Sequence, residues 1–573
     1  MIHLFQKYYQ FVWRYKLRFV VFIVSVVIAN IFRSVQPYFY KLFIDNISQG
    51  NTSLIWWILA SFILVRLIGV VTQTLSIWLG DRVLLPLARD IRMAVFEKIQ
   101  DLDFAYHLSK STGSLISMFK RGDLAVFNFF HSINLEILGI FVQFLVMTFF
   151  LSRLNIVYVG LTFATFAVNL LLAVLMIKRN ISARVSFNQA EDQISSVIVD
   201  NMINYETVKL FANEDYELKR LRKTFVNWLQ KLWGYANSFR AIDLSIGFTG
   251  NFGYAIVLAF AVWQLSQNQL SAGDLILILS FVANFYVRFF ELTFKLRDLA
   301  KNQVDLEKYF EALDLKTKVK DPSKPQLLTQ VKGEIHFEKV SFNYGKGKSA
   351  LKNIDLRIRQ GQSIALVGHS GVGKTTLVKL LMRLFDPTEG RITIDGVDIK
   401  NMTKSHLRSH LGVVPQDPIL FNNTLKYNVL YGAQNHTDQE LEAAIKMANL
   451  EEFVTSLPDG YDTQVGERGV KLSGGQKQRL SIARMILSNP QIIIFDEATS
   501  QLDSDSEKKI QEAFWKVSRD KTTLIVAHRL STVVKADKIV VMENGQIKEI
   551  GSHRELLQKK GLYSHFWELQ TID

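Results

Sequence analysis

The chain has 573 residues, 49% of them hydrophobic, a formal net charge of +14 and no cysteine. That length allows two or three domains, and the lack of cysteine excludes disulfides, thiolate metal sites and a cysteine nucleophile. Long apolar runs crowd into the first ~300 residues, which implies a membrane-embedded portion.

Lys7, Arg14, Lys16 and Arg18 precede the apolar run from Phe19 to Asn30. No small-residue cleavage pattern follows, so this run is expected to be a retained first span. Six apolar stretches, approximately 19–44, 54–80, 129–152, 155–177, 246–265 and 273–293, each come near the ~20 residues that a spanning helix needs. Only Pro37 and Pro86 of the nine prolines precede residue 300, so long unbroken helices are expected.

The loops between these stretches alternate in charge. Segments 46–53, 152–155 and 265–272 are short, and Arg153 is their only basic residue. Segments 81–128 and 178–245 are long and carry many, among them Arg82, Arg89, Lys120, Arg121, Lys178, Arg184, Lys219 and Arg222. This asymmetry places both termini and both long loops in the cytoplasm and accounts for most of the positive charge, so no nucleic-acid partner is expected. Lys41, near the outer end of the first span, is an exception. Residues 83–101 and 189–232 carry apolar positions at helical spacing, as helices continuing beyond the membrane would.

Polar groups within the apolar stretches form a second pattern. Asn284, Arg288, Glu291 and Lys295 are spaced by four, three and four, which sets them on one helical stripe. Arg33, Gln36, Arg66, Gln73, Glu136 and Gln143 lie in other spans. Such groups either pair as glue between helices or face a cavity.

Residues 301–330 form a charged connector containing Asp321-Pro322-Ser323-Lys324-Pro325. From about residue 331 short β-rich runs alternate with helical ones, the texture of an α/β domain. Gly368-His369-Ser370-Gly371-Val372-Gly373-Lys374-Thr375, followed by Thr376, comes after the apolar strand Ile364–Val367 and opens a helix expected to run to about Phe385. That is a P-loop in its required context. Its glycines let backbone N–H groups surround phosphate oxygens, Lys374 suits the β- and γ-phosphates of ATP, and the Thr375 hydroxyl suits Mg²⁺.

Ile492-Ile493-Ile494-Phe495-Asp496-Glu497 is an apolar strand ending in two carboxylates. Alone it is an ordinary strand with an acidic end; beside a P-loop it is a Walker B strand. Asp496 then suits Mg²⁺, and Glu497 suits the base that orients the attacking water.

Leu472-Ser473-Gly474-Gly475-Gln476 opens the basic helix Lys477–Leu487 twenty residues before Asp496. It resembles the signature motif of ABC ATPases. In that family Ser473, Gly475 and Gln476 would cap the γ-phosphate of ATP held by the other subunit. The resemblance extends to Tyr344 as the aromatic stacked on adenine, Gln416 as the Q-loop residue touching Mg²⁺, Asp503 in the D-loop and His528 as the switch histidine. Gly466-Glu467-Arg468-Gly469 resembles the exporter-type segment before the signature. Gln501 stands where the family more often has alanine, which puts fine coupling between sites in doubt. The resemblance covers essentially the whole chain.

An α-helical membrane domain (1–300), a linker (301–330) and an α/β P-loop ATPase domain (331–573) resemble an ABC exporter half-transporter. The resemblance implies catalytic roles for Glu497, His528, Gln416 and Lys374, and metal binding by Thr375, Gln416 and Asp496. It implies ATP and Mg²⁺ as cofactors, and a partner that is a second copy or a related half-transporter. It also implies a small solute or lipid cargo, and a location in a bilayer such as a bacterial inner membrane. Coupling helices are expected near Asp103–Ser111 and Glu206–Glu214. The run Asn204–Phe211 resembles the subgroup exporting glutathione-linked or metal-linked cargo but occurs more widely. A lipid flippase or an ATP-gated channel would share the architecture. Asn284 and Arg288 are the expected cargo contacts.

Overall fold

The computed structural model describes residues 2–110, 112–345, 349–433, 436–466, 469, 471–496, 504–527 and 529–571. It divides into two compact units, Met1–Asp101 with Lys110–Leu315, and Leu102–Ser109 with Lys316–Asp573.

In the first unit six helices among the described residues are long and apolar enough to cross a membrane: His3–Ser48, Ser53–Asp101, Leu115–Leu154, Ile156–Ile203, Glu214–Ser266 and Ala272–Leu296. The helix Thr52–Asp101 has 50 residues. At about 1.5 Å per residue it runs roughly 75 Å, against about 30 Å of bilayer hydrocarbon. Residues 189–232 are helical on either side of a break that falls where a coupling helix is expected, near Glu206–Glu214. Ile156–Ile203 ends at Asn204, a short helix Tyr205–Leu210 follows, and Ala212 takes a left-handed conformation (φ 51°) before Glu214–Ser266 begins. The sixth helix, Ala272–Asp314, carries on into the stretch expected as a connector.

The first span is assembled from the helices Ile2–Val12, Lys16–Ser34 and Gln36–Ser48. Pro37 is the second residue of the last of these, where its missing N–H costs no intrahelical bond. Tyr8, Phe22, Leu84, Leu87, Ile91, Phe129, Phe130 and Tyr309 are buried together, and Tyr8 meets Phe129 edge-on at 4.9 Å. The Tyr309 hydroxyl donates to Asp123 at 3.1 Å, and Asp123 is ion-paired with Arg92 at 2.6 Å. Burial, with the Asp123 charge second, pushes the Tyr309 phenol far above its ordinary range. This cluster ties the second, third and sixth helices beyond their apolar segments.

At the opposite ends of the first and sixth spans Lys41 is ion-paired with Asp274 and lies 3.9 Å from Asp45. The exception to the charge asymmetry is therefore a neutralised group. Gly273 N–H donates to Asp45 at 3.2 Å, and a Cβ at this glycine would fall 2.4 Å from that oxygen.

The second unit holds ten strands among the described residues: β1 Ile335–Phe342, β2 Leu351–Ile358, β3 Ser363–Val367, β4 Glu389–Ile394, β5 Val397–Asp398, β6 Leu411–Val414, β7 Ile492–Asp496, β8 Thr522–Val526, β9 Lys538–Glu543 and β10 Gln546–Gly551. An antiparallel sheet runs β2-β1-β4-β5, and a second sheet runs β10-β9-β3-β8-β7-β6 with only β10 antiparallel. β3 and β8 are buried at every position, as strands covered on both faces must be. Leu366 pairs with Val526, and Val526 pairs with Asp496. The carboxyl ends of β3, β8 and β7 thus lie side by side, where open α/β sheets place their ligands.

The short helix Phe104–Ser109 belongs to this second unit. Asp103 accepts the backbone N–H of Lys318 at 2.6 Å and of Val319 at 2.9 Å, and the Phe104 ring meets Phe385 edge-on at 6.0 Å.

Candidate nucleotide and cargo sites

The loop after β3 turns through three glycines of positive φ, Gly368 (151°), Gly371 (81°) and Gly373 (107°), and Gly373 caps the helix Lys374–Leu381. That helix stops before Phe385, because Arg383 takes φ 50°. Its buried guanidinium donates to the Met402 carbonyl at 2.7 Å and to the Lys320 carbonyl at 2.6 Å. His369, Ser370 and Gly371 are exposed, Val372 and Thr375 half-buried, and Thr376 buried. Lys374 is buried, and its Nζ donates to the carbonyls of Gly368 (2.7 Å) and His369 (3.1 Å).

A Cβ at Gly368 would lie 2.3 Å from the Met542 carbonyl oxygen of β9. Gly368→Ala therefore meets both a rigid backbone atom and a strained φ, at a cost of about 1–3 kcal/mol from the strain alone. The expected result is loss of ATP-analogue binding with a lowered thermal midpoint, read by fluorescence titration and melting.

Thr375 Oγ1 donates to Asp496 Oδ1 at 3.4 Å, so the P-loop and the end of β7 meet. The donors gathered here are a hydroxyl and a carboxylate, both hard oxygens, which fit Mg²⁺. Tyr344 is half-exposed, packs edge-on against Phe342 (4.9 Å) and Phe385 (5.3 Å), and its hydroxyl lies 3.2 Å from that of Thr376. Phe385 thus touches both the aromatic expected to stack on adenine and Phe104.

The helix Gly474–Ser488 begins with a capping box: Ser473 Oγ accepts from Gln476 N–H at 3.3 Å, and Gln476 Oε1 accepts from Ser473 N–H at 2.8 Å. Ser473 is exposed and Gly475 buried. Among the described residues no hydrogen bond joins Ser473 or Gln476 to the P-loop. Further along this helix, Arg484 donates to the Asn428 carbonyl at 2.8 Å, and burial lowers its guanidinium from the ordinary range.

Glu497, Asp503 and His528 lie outside the described residues, as do Glu467, Arg468 and Gln501.

Three residues near the site escape sequence reasoning. Gln478 is buried, and its Nε2 donates to the Gln416 carbonyl at 2.5 Å and the Pro415 carbonyl at 3.2 Å, so the signature helix holds the Q-loop by its backbone. Gln416 is itself exposed. On the helix Leu562–Thr571, Phe566 meets the His369 ring edge-on at 4.9 Å, and Gln570 Oε1 accepts the Leu530 N–H at 2.8 Å. The one available signal was a glutamine on the buried face of the signature helix. Because Leu530 is two residues past His528, Gln570→Ala is expected to lower kcat about fivefold, for a lost hydrogen bond of about 1 kcal/mol, with ATP affinity retained. Gln570→Glu, still an acceptor, should restore it in steady-state assays.

In the membrane unit Asn284 and Arg288 line a cavity of about 430 Å³ together with Arg33, Gln36, Arg66, Gln73 and Gln143. The stripe is partly paired: Arg288 bonds Glu291 at 2.7 Å, and Lys295 bonds Glu136 at 2.7 Å. Glu136 sits in a π-helical turn, Ser132–Ile137, within the third span.

Six apolar helices and a cassette with P-loop, Walker B strand and signature on one chain define an ABC transporter. Two family descriptions match accordingly, "ABC transporter transmembrane region" over residues 19–289 and "ABC transporter" over 351–500. The chain is 33% identical over 549 residues to the ATM1-type heavy metal exporter of Novosphingobium aromaticivorans, covering 94% of this chain and 89% of that protein. It belongs to the Atm1-type family of ABC exporters. Heavy metal tolerance factor 1 of Caenorhabditis elegans is 36% identical over 85% of this chain, and ATP-binding cassette sub-family B member 6 of Rattus norvegicus 34% over 93%. The chain spans only 61% and 65% of the lengths of those two relatives. A bacterial Atm1-family ABC exporter, solved with ATP bound, superposes with a TM-score of 0.87 at 31% identity over 97% of this chain and 98% of that one.

Proposed function

We propose that the chain is an ATP-driven exporter that moves a solute across a membrane by alternating access, acting as a homodimer. The single observation that carries the reading is the cassette's signature, Ser473 to Gln476. Ser473 and Gly474 are exposed at a helix N-terminus, and Ser473 is bonded to Gln476 rather than to its own P-loop, as a group that completes a nucleotide site on a second copy would be.

In this reading Tyr344 stacks on adenine. The P-loop N–H groups, from Gly368 to Thr376, and Lys374 hold the phosphates. Thr375, Gln416 and Asp496 hold Mg²⁺, which neutralises phosphate charge when bound. Glu497 orients a water whose oxygen attacks the γ-phosphorus as the bond to the β–γ bridging oxygen breaks, leaving ADP and phosphate. His528 contacts the γ-phosphate, and Asp503 lies at the contact between sites. Residues 1–300 serve as the membrane domain and 331–573 as the ATPase, joined by 301–330, in a bacterial inner membrane with the ATPase cytoplasmic. ATP must favour the closed dimer; moving a 1:99 equilibrium to 99:1 takes about a 10⁴-fold preference.

For the cargo we propose that Asn284 and Arg288 contact an anionic group, which arginine's planar fork suits. Relatives carry heavy metals in their names. The cavity here offers arginines and amides, and the chain has no cysteine, so a metal would enter as an anionic complex rather than a bare cation. The test is ATP-dependent uptake into inverted proteoliposomes with cargo titrations of ATP hydrolysis. Arg288→Ala and Asn284→Ala should each raise the half-stimulating cargo concentration, about tenfold for a lost interaction of 1.4 kcal/mol. Unchanged curves for both would remove the stripe from the cargo site.

A further inference from the structure

Beyond the cavity, toward the ends of the spans that lie away from the basic loops, the first and sixth spans are fastened to one another. Gln36 and Pro37 of the first span and Phe281 and Asn284 of the sixth line the cavity. Phe150 of the third span meets Phe281 at 5.5 Å and Tyr38 of the first at 5.1 Å, so rings from three helices gather at this end. About one turn beyond Pro37 stands Lys41, and about two turns before Phe281 stands Asp274.

Lys41 is ion-paired with Asp274 and lies 3.9 Å from Asp45. Asp45 accepts the Gly273 N–H at 3.2 Å, and Asp274 accepts the Ser271 hydroxyl at 3.0 Å and N–H at 3.1 Å. A Cβ at Gly273 would fall 2.7 Å from the Lys41 carbonyl oxygen, so the start of the sixth helix presses directly on the first span. Side-chain exposures of 23% for Lys41, 21% for Asp45 and 13% for Asp274 leave the cluster neither dry nor fully wet. Such a cluster adds little to permanent packing, because well-packed apolar groups hold two helices as well or better. Its use is in separation. Once hydrated, the same pair is worth little, so two spans can part at a water-facing end without stranding a charge or baring an apolar face.

We infer that Lys41, Asp45 and Asp274 form a latch that keeps the outer end of the cavity shut until ATP turnover parts the first and sixth spans. The inference rests on the alternating-access reading and adds where the outer closure lies and what holds it.

The chain has no cysteine, so Ser34→Cys, on the cavity wall, provides a single thiol that reports access. Right-side-out membrane vesicles carrying the full-length dimer, loaded with ATP and Mg²⁺ or left without nucleotide, are treated from outside with a membrane-impermeant methanethiosulfonate. With Ser34→Cys alone, labelling is expected to be slow without nucleotide and to rise during ATP turnover. Adding Lys41→Gln or Asp274→Asn should raise the nucleotide-free rate at least about tenfold. Gly273→Ala, which leaves the charges and wedges the two backbones apart, should do the same. Asp45→Asn, whose amide oxygen still accepts the Gly273 N–H, should change it less than about threefold. Lys41→Asp combined with Asp274→Lys should restore the slow rate. Binding of a fluorescent ATP analogue checks the fold of each variant.

Slow labelling in Lys41→Gln, Asp274→Asn and Gly273→Ala alike, with the rise on ATP intact, would overturn the latch and leave alternating access standing. Fast labelling in the charge-swapped pair, or neutral variants that lose the fold while Gly273→Ala folds and stays slow, would show a structural clamp and would also overturn it. No rise on ATP with Ser34→Cys alone would overturn the alternating-access reading itself.

Discussion

Glu497→Gln is expected to leave ATP binding near normal, to cut steady turnover about 10²–10⁴-fold, and to trap the dimer closed around nucleotide. The amide keeps the volume of the carboxylate and loses the charge that polarises water. Asp496, the last residue of β7 and bonded to Thr375, is untouched, so the phosphate cradle should survive. Lys374→Ala gives the opposite pattern. It removes the buried ammonium that bonds the carbonyls of Gly368 and His369 and that the proposed mechanism assigns to the phosphates, so nucleotide binding itself should fail. Single-turnover and equilibrium-binding measurements separate the two. Multiple-turnover hydrolysis by Glu497→Gln near the unmodified rate would move the base to another residue.

The parts of this molecule that were legible in its sequence are those written in contiguous chemistry. The P-loop depends on backbone conformations that glycine supplies, and Gly368, Gly371 and Gly373 all take positive φ. The strands β3, β7 and β8 carry the apolar runs Ile364–Val367, Ile492–Phe495 and Leu524–Val526 because both their faces are covered. The membrane stripe was legible as a spacing, and the cavity does gather Arg33, Arg66, Asn284 and Arg288 from three helices.

Pairing was not legible. Nothing local says that Lys41 finds Asp274 some 230 residues away, that Phe385 stands between Phe104 and Tyr344, or that Gln478 holds the Q-loop backbone. Each depends on tertiary placement of side chains whose local roles are ordinary. The break at 204–213 was expected only through the family resemblance, as a coupling helix near Glu206–Glu214, and not from the periodicity. Apolar periodicity continues across it, and Ala212, a good helix former, reverses the chain in a left-handed conformation that its type does not advertise.

The arrangement in trans has a consequence that one kind of defect alone cannot reveal. If Ser473 of one copy completes the nucleotide site of the other, a dimer of Lys374→Ala chains has two sites with damaged phosphate binding. A dimer of Ser473→Arg chains has two sites with a blocked cap, the bulky cation replacing an exposed serine whose Oγ now accepts the Gln476 N–H. In a mixed dimer both defects fall in the same composite site, and the other site is intact. The mixed dimer is therefore expected to occlude one nucleotide, while each pure variant occludes none above background. Co-expression with two different affinity tags isolates the mixed species, and trapping of radiolabelled ATP with vanadate counts the occluded sites. If each chain completed its own site, every site in the mixed dimer would carry one defect, and mixing would restore nothing. A closed site also needs both cassettes to approach, so occlusion should be lost again when the intact site of the mixed dimer receives Tyr344→Ala on the Ser473→Arg chain. That substitution removes the aromatic packed against Phe385 on the chain whose P-loop is sound, and leaves the signature facing it unaltered.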